Sequence, residues 1–232
     1  MILMTAKLDT PLGLLQLTAG EHGLREIAFK EPVASHVSFA QDPRTLASWK
    51  LPTDARVRAQ LMLVPEHLMD DELTSAGLMG VEPKSQCQIK QQPQLCHVSD
   101  MVLRKAKVSP AEVSRHCQAI SLLLQDACTQ LTEYFAKQRS HFTLALAPVG
   151  TPFQQQVWLA LQHIQHGDTC SYGDIANRIA NPKAVRAVGA ANGKNPLAIV
   201  VPCHRVIGHS RQMTGYAGGL ARKVWLLQHE AS

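Results

Sequence analysis

Alternating apolar and polar residues near the start of the chain predict antiparallel strands. Residues 14–18 and 24–29 both alternate, and the turn-forming groups at 10–13 and 20–23 precede them. Period-two segments separated by Gly- and Pro-containing turns are typical of β-hairpins with one buried face. The sequence therefore predicts a hairpin that ends at about Phe29.

Apolar residues at spacings of three and four predict helices farther along the chain. Ser109, followed by Pro110 and Glu112, has the pattern of a capped helix start, and two more capping boxes begin at Thr151 and Ser171. Residues 142–146 are predicted to form a strand between the first two helices. The apolar stripes consist of Ile120, Leu123, Leu124, Leu131 and Phe135, and then of Phe153, Val157, Leu161 and Ile164.

The pattern is weak between these regions. Residues 30–108 contain scattered prolines and a polar patch at 88–94, which indicate an irregular insert. Residues 148–150, Pro-Val-Gly, form a candidate linker. We therefore expect an N-terminal domain at 1–147, with the insert at about 30–108, and a C-terminal domain at 148–232.

Two short helices joined by a tight turn predict a helix-turn-helix after Ser171. Asn181 and Pro182 are expected to cap the second helix, from 183 to about 192, and Gly193 to stop it. Val185 and Val188 should pack inward. The opposite face is predicted to expose Lys183, Arg186, Ala187 and Ala190, which suits either phosphate contact or a solvated basic surface.

A β-branched run at 199–201 is predicted to be a buried strand that ends at Pro202. Cys203 and His204 follow at once, so a thiol and a base lie at the end of an element, although a buried structural cysteine is the ordinary alternative. The last helix is expected at 220–230 with Leu220, Val224 and Leu227 facing inward. Glu230 lies at its C-terminal end, where the helix dipole disfavours an anion.

Composition adds three limits. The 232 residues carry a net charge of +5, a modest excess that is compatible with a polyanionic partner. The six cysteines form no CxxC pair, so a disulfide framework is not expected. No signal peptide and no membrane-spanning run are found in the pattern. We expect an intracellular protein with reduced thiols.

Residues 202–206, Pro-Cys-His-Arg-Val, resemble the active-site signature of the O6-alkylguanine-DNA alkyltransferases, also called methylated-DNA–protein-cysteine methyltransferases. Further matches to the family occur in order at 151–154, 171–172, 181–184, 186–189, 195–196, 215–219 and 225–230. They cover nearly all of 151–232. The resemblance implies an α+β protein with a ribonuclease-H-like N-terminal α/β domain and a winged-helix-like C-terminal helix-turn-helix domain.

The resemblance also implies a single-turnover DNA repair reaction. Cys203 would accept the alkyl group, His204 would act as a base through a water molecule, and Glu230 would orient His204. Asn195 would brace the turn before the cysteine. Because a thioether is not readily hydrolysed, the protein would be consumed by one alkyl group from O6-alkylguanine, with O4-alkylthymine as a candidate second substrate.

On the DNA side, the resemblance implies base flipping and docking of the second helix in the minor groove of double-stranded DNA. Arg186 would fill the vacated stack, and Tyr172 would crowd the phosphate of the flipped nucleotide and hydrogen-bond the base. Lys183, Ala187 and Ala190 would lie against the DNA.

For the base pocket, the resemblance implies that the carbonyls of Cys203 and Val206 read the guanine amine. The N–H of Ala217, with Tyr216, would hold the oxygen edge. Asn192 stands where some members have methionine and is expected to alter tolerance for bulky adducts.

Metal ligands found in some animal members are replaced here by Gly20 and Arg25. The pairs at 96–97 and 116–117 lack ligand spacing. No metal or cofactor is therefore expected. The protein is expected to be a monomer without membrane contact, in the nucleus of a eukaryote or the cytoplasm of a bacterium.

Three other functions are compatible with parts of the sequence. A helix-turn-helix regulator would use the basic helix and leave Cys203 inert. A Cys-His-Glu hydrolase would turn over and would not need that helix. A damage sensor would bind alkylated DNA without transfer, as do family relatives that lack the cysteine.

Overall fold

The computed structural model describes residues 2–30, 110–209, 213 and 215–231, and three two-residue strands at 58–59, 62–63 and 87–88. Together they form an α+β structure. The strands are β1 (Ile2–Thr10), β2 (Gly13–Gly20), β3 (Gly23–Phe29), β4 (Arg58–Ala59), β5 (Met62–Leu63), β6 (Cys87–Gln88), β7 (Cys170–Ser171) and β8 (Val206–Ile207). The helices are α1 (Pro110–Phe135), α2 (Pro152–Gln162), α3 (Tyr172–Arg178), α4 (Val185–Gly193) and α5 (Leu220–Ala231).

The predicted hairpin is confirmed and is part of a larger sheet. Strands β1, β2 and β3 are antiparallel neighbours, and β5 pairs with the outer edge of β1. Alternate residues of β1 are buried, as the period-two pattern requires: Ile2, Met4, Ala6 and Leu8. Helix α1 packs across β1 and β2 with its predicted stripe inward, except that Leu123 is only partly buried. Its predicted cap, Ser109, lies outside the described residues.

The capping boxes predicted at Thr151 and Ser171 are both present. In each, the side-chain oxygen accepts from the backbone N–H three residues on, and the side chain at that position accepts from the backbone N–H of the cap. They begin α2 and α3. Helices α2, α3 and α4 then pack on one another, and α3 with α4 forms a helix-turn-helix arrangement.

Helix α4 differs from its prediction at its first turn. It begins at Val185, two residues later than expected, because Asn181 offers a backbone oxygen to Ala184 and no side-chain cap exists. Val185 is consequently 40% exposed, so its predicted inward position is wrong. The buried face instead consists of Val188, Ala191 and Asn192.

Helix α5 is present, but its predicted apolar face is wrong. Leu220 is 48% exposed, and Val224 and Leu227 are only half-buried. The buried face carries charged residues whose polar groups find partners inside the protein, so burial is tolerated. Its members are Arg222, Lys223, Trp225, Leu226, His229 and Glu230.

Two predicted strands are replaced by irregular chain. Residues 142–146 contribute a single bridge, between Leu146 and Leu24, and the amide of Thr143 donates to the Gln130 side chain. A side chain therefore satisfies this amide in place of a neighbouring strand. Residues 198–200 are turns. Gly23, at φ +141°, allows the first of these segments to approach β3, because a Cβ there would lie 2.6 Å from the Ala145 oxygen.

Strand β3 also holds the turn that precedes Cys203. The amide of Ile27 donates to Pro196, and the amide of Ala198 donates to Ile27. The sheet therefore fixes the second half of the chain directly. Apart from Lys30, β4, β5 and β6, the predicted insert at 30–108 lies outside the described residues. Among the described residues, no helix is both long and apolar enough to cross a membrane.

Candidate active site

A tight turn replaces the predicted strand before Cys203, and Asn195 organises it. Its Nδ2 donates to the carbonyl oxygens of Val201 at 2.8 Å and Leu197 at 3.3 Å, and its Oδ1 accepts from the Leu197 amide at 3.0 Å. Ile199 adopts φ +71°, a region that β-branched residues rarely occupy. The apolar run is buried as predicted, but it is coiled rather than extended.

Cys203 begins a short 3₁₀-helix, Cys203–Arg205, directly after this turn. Cys203 is only 4% exposed, and its Sγ accepts a hydrogen bond from Asn195 Nδ2 at 3.0 Å. Burial raises the pKa of the Cys203 thiol, and the Asn195 bond and the charge of Lys223 lower it only in part. The resting side chain is therefore a neutral thiol, and Asn195 Nδ2 is positioned to donate a hydrogen bond to the thiolate when it forms.

His204 is completely buried beside the thiol. Its Nε2 lies 2.9 Å from Glu230 Oε1, so this nitrogen carries the proton and Nδ1 is left as the acceptor. Nδ1 has no hydrogen-bond partner among the described residues. Burial lowers the pKa of His204, against the raising effect of Glu230. His204 is thus a neutral base with a free lone pair.

Glu230 is held by more groups than the sequence indicated. Arg205 donates to both of its oxygens at 2.8 and 2.9 Å, and the Tyr134 hydroxyl donates to Oε1 at 2.7 Å. Burial would raise the pKa of the Glu230 carboxyl, but the hydrogen bonds from His204 and Arg205 and the positive charge of Arg205 hold it far below its usual range. Glu230 is therefore a fixed anion, despite its place at a helix C-terminus.

Three buried residues at this site were not predicted. Arg205 stands in the 202–206 motif, which was a usable signal. Tyr134 comes from α1, far away in sequence, and no local pattern marked it. Lys223 is fully buried on α5, where its Nζ donates to the Val206 oxygen at 2.6 Å. Burial lowers the pKa of Lys223, and the neighbouring Cys203 raises it.

Asn192, Tyr216 and Val206 also lie near Cys203, and Ala217 follows Tyr216 in the chain. Asn192 is buried, and its Nδ2 donates to the Cys203 carbonyl oxygen at 3.4 Å. The Tyr216 hydroxyl is buried, and burial together with the nearby Cys203 raises the pKa of this phenol well above its usual value. Ala217 lies exposed in the same loop. Val206 follows the 3₁₀-helix and pairs with β7.

The predicted basic face of α4 is at the surface. Lys183, just before the helix, and Arg186, Ala187 and Ala190 within it are all exposed. Tyr172 is half-buried at the start of α3, and its ring approaches Gly189 of α4, where a Cβ would lie 3.8 Å away. Asn192 is on this same helix, so α4 joins the exposed cationic face to the buried thiol.

The predicted residues thus form two groups, one around the thiol and one on the surface of α4. The described residues include no cluster of three or more His, Cys, Asp or Glu side chains that could hold a metal ion. The chemistry available at the thiol is nucleophilic attack assisted by a fixed base.

Residues 152–232 match a family model described as the DNA-binding domain of 6-O-methylguanine DNA methyltransferase. A methylated-DNA–protein-cysteine methyltransferase of Methanosarcina acetivorans is 55% identical over 108 residues, which are 47% of this chain and 69% of that protein. The Mycobacterium leprae protein of the same name is 54% identical over 105 residues, or 45% of this chain and 64% of the relative. These alignments leave about a third of each relative uncovered.

Solved structures extend the likeness to the full chain. Mycobacterium tuberculosis O6-methylguanine methyltransferase is 29% identical with a TM-score of 0.57, covering 99% of this chain and 93% of that one. A structure of M. tuberculosis OGT in complex with DNA is 30% identical with a TM-score of 0.56, covering 97% and 91%. The similarity therefore includes the N-terminal half as well as the site.

Proposed function

This chain belongs to the methylated-DNA–protein-cysteine methyltransferase family, and on that premise we propose that it repairs DNA by moving an alkyl group from O6-alkylguanine to Cys203. One observation carries the proposal. A buried thiol, held by Asn195, lies beside the neutral base His204, and Glu230 is fixed behind that base. This is the nucleophile–base–orienter arrangement that covalent catalysis needs.

The transfer needs no cofactor, because the thiol, His204 and the alkylated base account for every bond and proton that changes. His204 Nδ1 takes the thiol proton through a bridging water, and the thiolate attacks the alkyl carbon in line. The S–C bond forms while the C–O6 bond breaks, and its electron pair stays on guanine. The proton is then returned to a ring nitrogen of guanine. The product is an S-alkylcysteine, so each molecule reacts once.

The charged groups around the thiol support this ionisation. Glu230 stabilises the imidazolium that forms on His204, and Arg205 and Tyr134 keep Glu230 in place. Asn195 and the Lys223 ammonium favour the thiolate. Because burial keeps the resting pair neutral, the nucleophile forms only when the reaction proceeds.

The exposed face of α4 is proposed to dock on the minor groove of duplex DNA. Lys183 and Arg186 supply cations for phosphates, and Ala187 and Ala190 permit close approach. Arg186 would enter the stack in place of the flipped nucleotide. Tyr172 would contact its phosphate and base.

The base is proposed to bind in the pocket around Cys203. The carbonyls of Cys203 and Val206 would accept from the guanine amine, and Tyr216 with the N–H of Ala217 would hold the oxygen edge. Asn192 lines the same space. O4-alkylthymine is a candidate second substrate.

The finer architecture is also part of this proposal. We assign residues 1–147 to a ribonuclease-H-like N-terminal domain and 148–232 to a winged-helix-like C-terminal domain. A monomer acting in an intracellular compartment that contains DNA, nucleus or bacterial cytoplasm, suits a stoichiometric repair protein. A regulator or a damage sensor would use α4 alone and would leave the organised thiol without a role.

Intact mass after incubation with duplex DNA containing O6-methylguanine tests the function. We expect one methyl group, mapped to the peptide that contains Cys203, and none in Cys203→Ala. Cys117→Ala, which removes a half-buried cysteine on α1, should still be methylated. Unchanged mass with retained DNA binding would overturn alkyl transfer in favour of a regulator or sensor.

A further inference from the structure

Asn192 has a buried oxygen that no described residue satisfies. The residue is 3% exposed, and its Nδ2 donates to the Cys203 carbonyl oxygen at 3.4 Å. Its Oδ1 accepts from no donor among the described residues. An unpaired acceptor in the protein interior is unfavourable, so a buried amide usually finds a donor.

Three such unpaired atoms belong to residues that line the Cys203 site: His204 Nδ1, the Tyr216 hydroxyl and Asn192 Oδ1. The proposed reaction already uses the first two, as proton acceptor and as a contact to the oxygen edge. Only a donor can satisfy the third. Since Cys203 is itself 4% exposed, a base that reaches the sulfur must enter the same enclosed space.

The substrate offers one kind of donor on the edge that faces this site. Alkylation at O6 leaves N1 of guanine without a hydrogen, so the 2-amino group is the only donor on the Watson–Crick edge. O4-alkylthymine has no donor there. Of the two carbonyls proposed to read the amine, that of Val206 already accepts from Lys223 at 2.6 Å. In the described part of the chain, no donor competes for Asn192 Oδ1.

We propose that Asn192 Oδ1 accepts a hydrogen bond from the 2-amino group of the flipped O6-alkylguanine, so that Asn192 favours guanine over thymine lesions. The inference rests on the proposed function. Nδ2 of the same side chain donates to the Cys203 carbonyl oxygen. The Asn192 amide therefore positions that oxygen and supplies its own Oδ1 as a second acceptor. Because Asn192 is on α4, base reading is built into the helix proposed to bind DNA.

The test compares two substrates in single-turnover transfer: duplexes with O6-methylguanine, and with O6-methylhypoxanthine, which lacks only the 2-amino group. Wild-type protein should prefer the guanine lesion. In Asn192→Leu the ratio of the two rate constants should fall about ten-fold, the size expected for one buried hydrogen bond. The hypoxanthine rate should fall less than the guanine rate, because it reports only the loss of the Nδ2 bond to the Cys203 carbonyl.

Val188→Ala is the matched control, since Val188 is fully buried one turn earlier on α4 and offers no acceptor. Its rate ratio should equal that of the wild type. Equal slowing of both substrates in Asn192→Leu would show a packing role and overturn the inference. Absence of transfer by the wild-type protein would instead overturn the proposed function, so the two failures are distinguishable.

Discussion

The N-terminal sheet and the region around Cys203 satisfy their buried polar groups in different ways. In β1, β2 and β3, backbone pairs with backbone along antiparallel ladders, with one register shift between Thr18 and Ala19. Around Cys203, side chains supply the hydrogen bonds. Asn195 bonds to backbone groups of the turn, and the Glu230 carboxylate accepts from His204, Arg205 and Tyr134. A ladder tolerates the loss of one side chain, and a side-chain network does not.

The difference explains how two apolar runs reach different structures. The run in β2 finds neighbours on both sides and becomes a strand. The run at 199–201 meets the Asn195 side chain, which occupies the carbonyl of Val201 and the amide of Leu197. Ile199 is then held at φ +71°, an unfavourable conformation that the surrounding contacts must enforce. The strained turn delivers Cys203 to the 3₁₀-helix.

Glu230→Gln should break the side-chain network most severely. It leaves the buried Arg205 guanidinium without its counter-ion, which we expect to lower the free energy of unfolding by about 3–5 kcal/mol at neutral pH. Transfer should slow because the imidazolium of His204 loses its anion. Denaturant unfolding and single-turnover kinetics measure the two effects.

The matched control for that change is Glu133→Gln. Glu133 pairs with Arg139 at 2.7 Å, but both side chains are partly exposed, so the loss should stay below about 1 kcal/mol. Equal losses in the two variants would contradict the network description.

Acidification should show the same network in the wild-type protein. The Glu230 pKa is depressed by folding, so its contribution to stability is complete above the pKa of an unfolded glutamate, about 4.3. That contribution is lost as the pH falls from there toward the folded pKa. Glu230→Gln should therefore lose less stability over this acid range than the wild type does, as measured by unfolding at several pH values.

Asn195→Ala should have the next largest effect. It removes the bonds to Val201 and Leu197 and the donor to Cys203 Sγ, and we expect a loss of about 2–3 kcal/mol in unfolding free energy. The pKa of the Cys203 thiol should rise further, since its thiolate loses a donor. Titration of thiolate absorbance measures this rise.

Asn177→Ala controls for the loss of an asparagine, because Asn177 is exposed on α3. It should change neither stability nor the thiol pKa appreciably. If the pKa of Cys203 were the same in Asn195→Ala as in this control, the Sγ bond would have no electrostatic role.

Sequence patterns predicted the parts of this protein whose structure is local. The hairpin follows from alternation, and the starts of α2 and α3 follow from capping boxes that involve residues three apart. The buried charges of α5 could not be predicted, because the partners of Arg222 and Lys223 are distant carbonyls at Leu12 and Val206. Apolar periodicity wrongly placed Leu220 inward, because it cannot recognise a buried helix face that carries charged residues.

The candidate site shows the same difference between local and long-range contacts. Motif matches placed Cys203, His204 and Glu230 together, but the contact between Tyr134 and Glu230 spans 96 residues and has no sequence signal. The coiled turn at 199–201 was missed because a β-branched apolar run indicates a strand unless the Asn195 side chain is known to occupy its backbone groups. Long-range side-chain bonds are therefore what the pattern could not show.

Thr10→Ala should have the smallest effect, although it also removes a side chain that closes a turn. Thr10 Oγ1 donates to the Gly13 oxygen at 2.6 Å and accepts from the Leu12 amide at 3.2 Å. The backbone ladder between β1 and β2 remains, so we expect a loss of about 1 kcal/mol in unfolding free energy and unchanged alkyl transfer. Thr18→Ala, which removes only a 3.5 Å contact to Glu26, is the control and should lose less. A loss as large as that of Asn195→Ala would mean that the hairpin depends on its side chains as much as the Cys203 turn does.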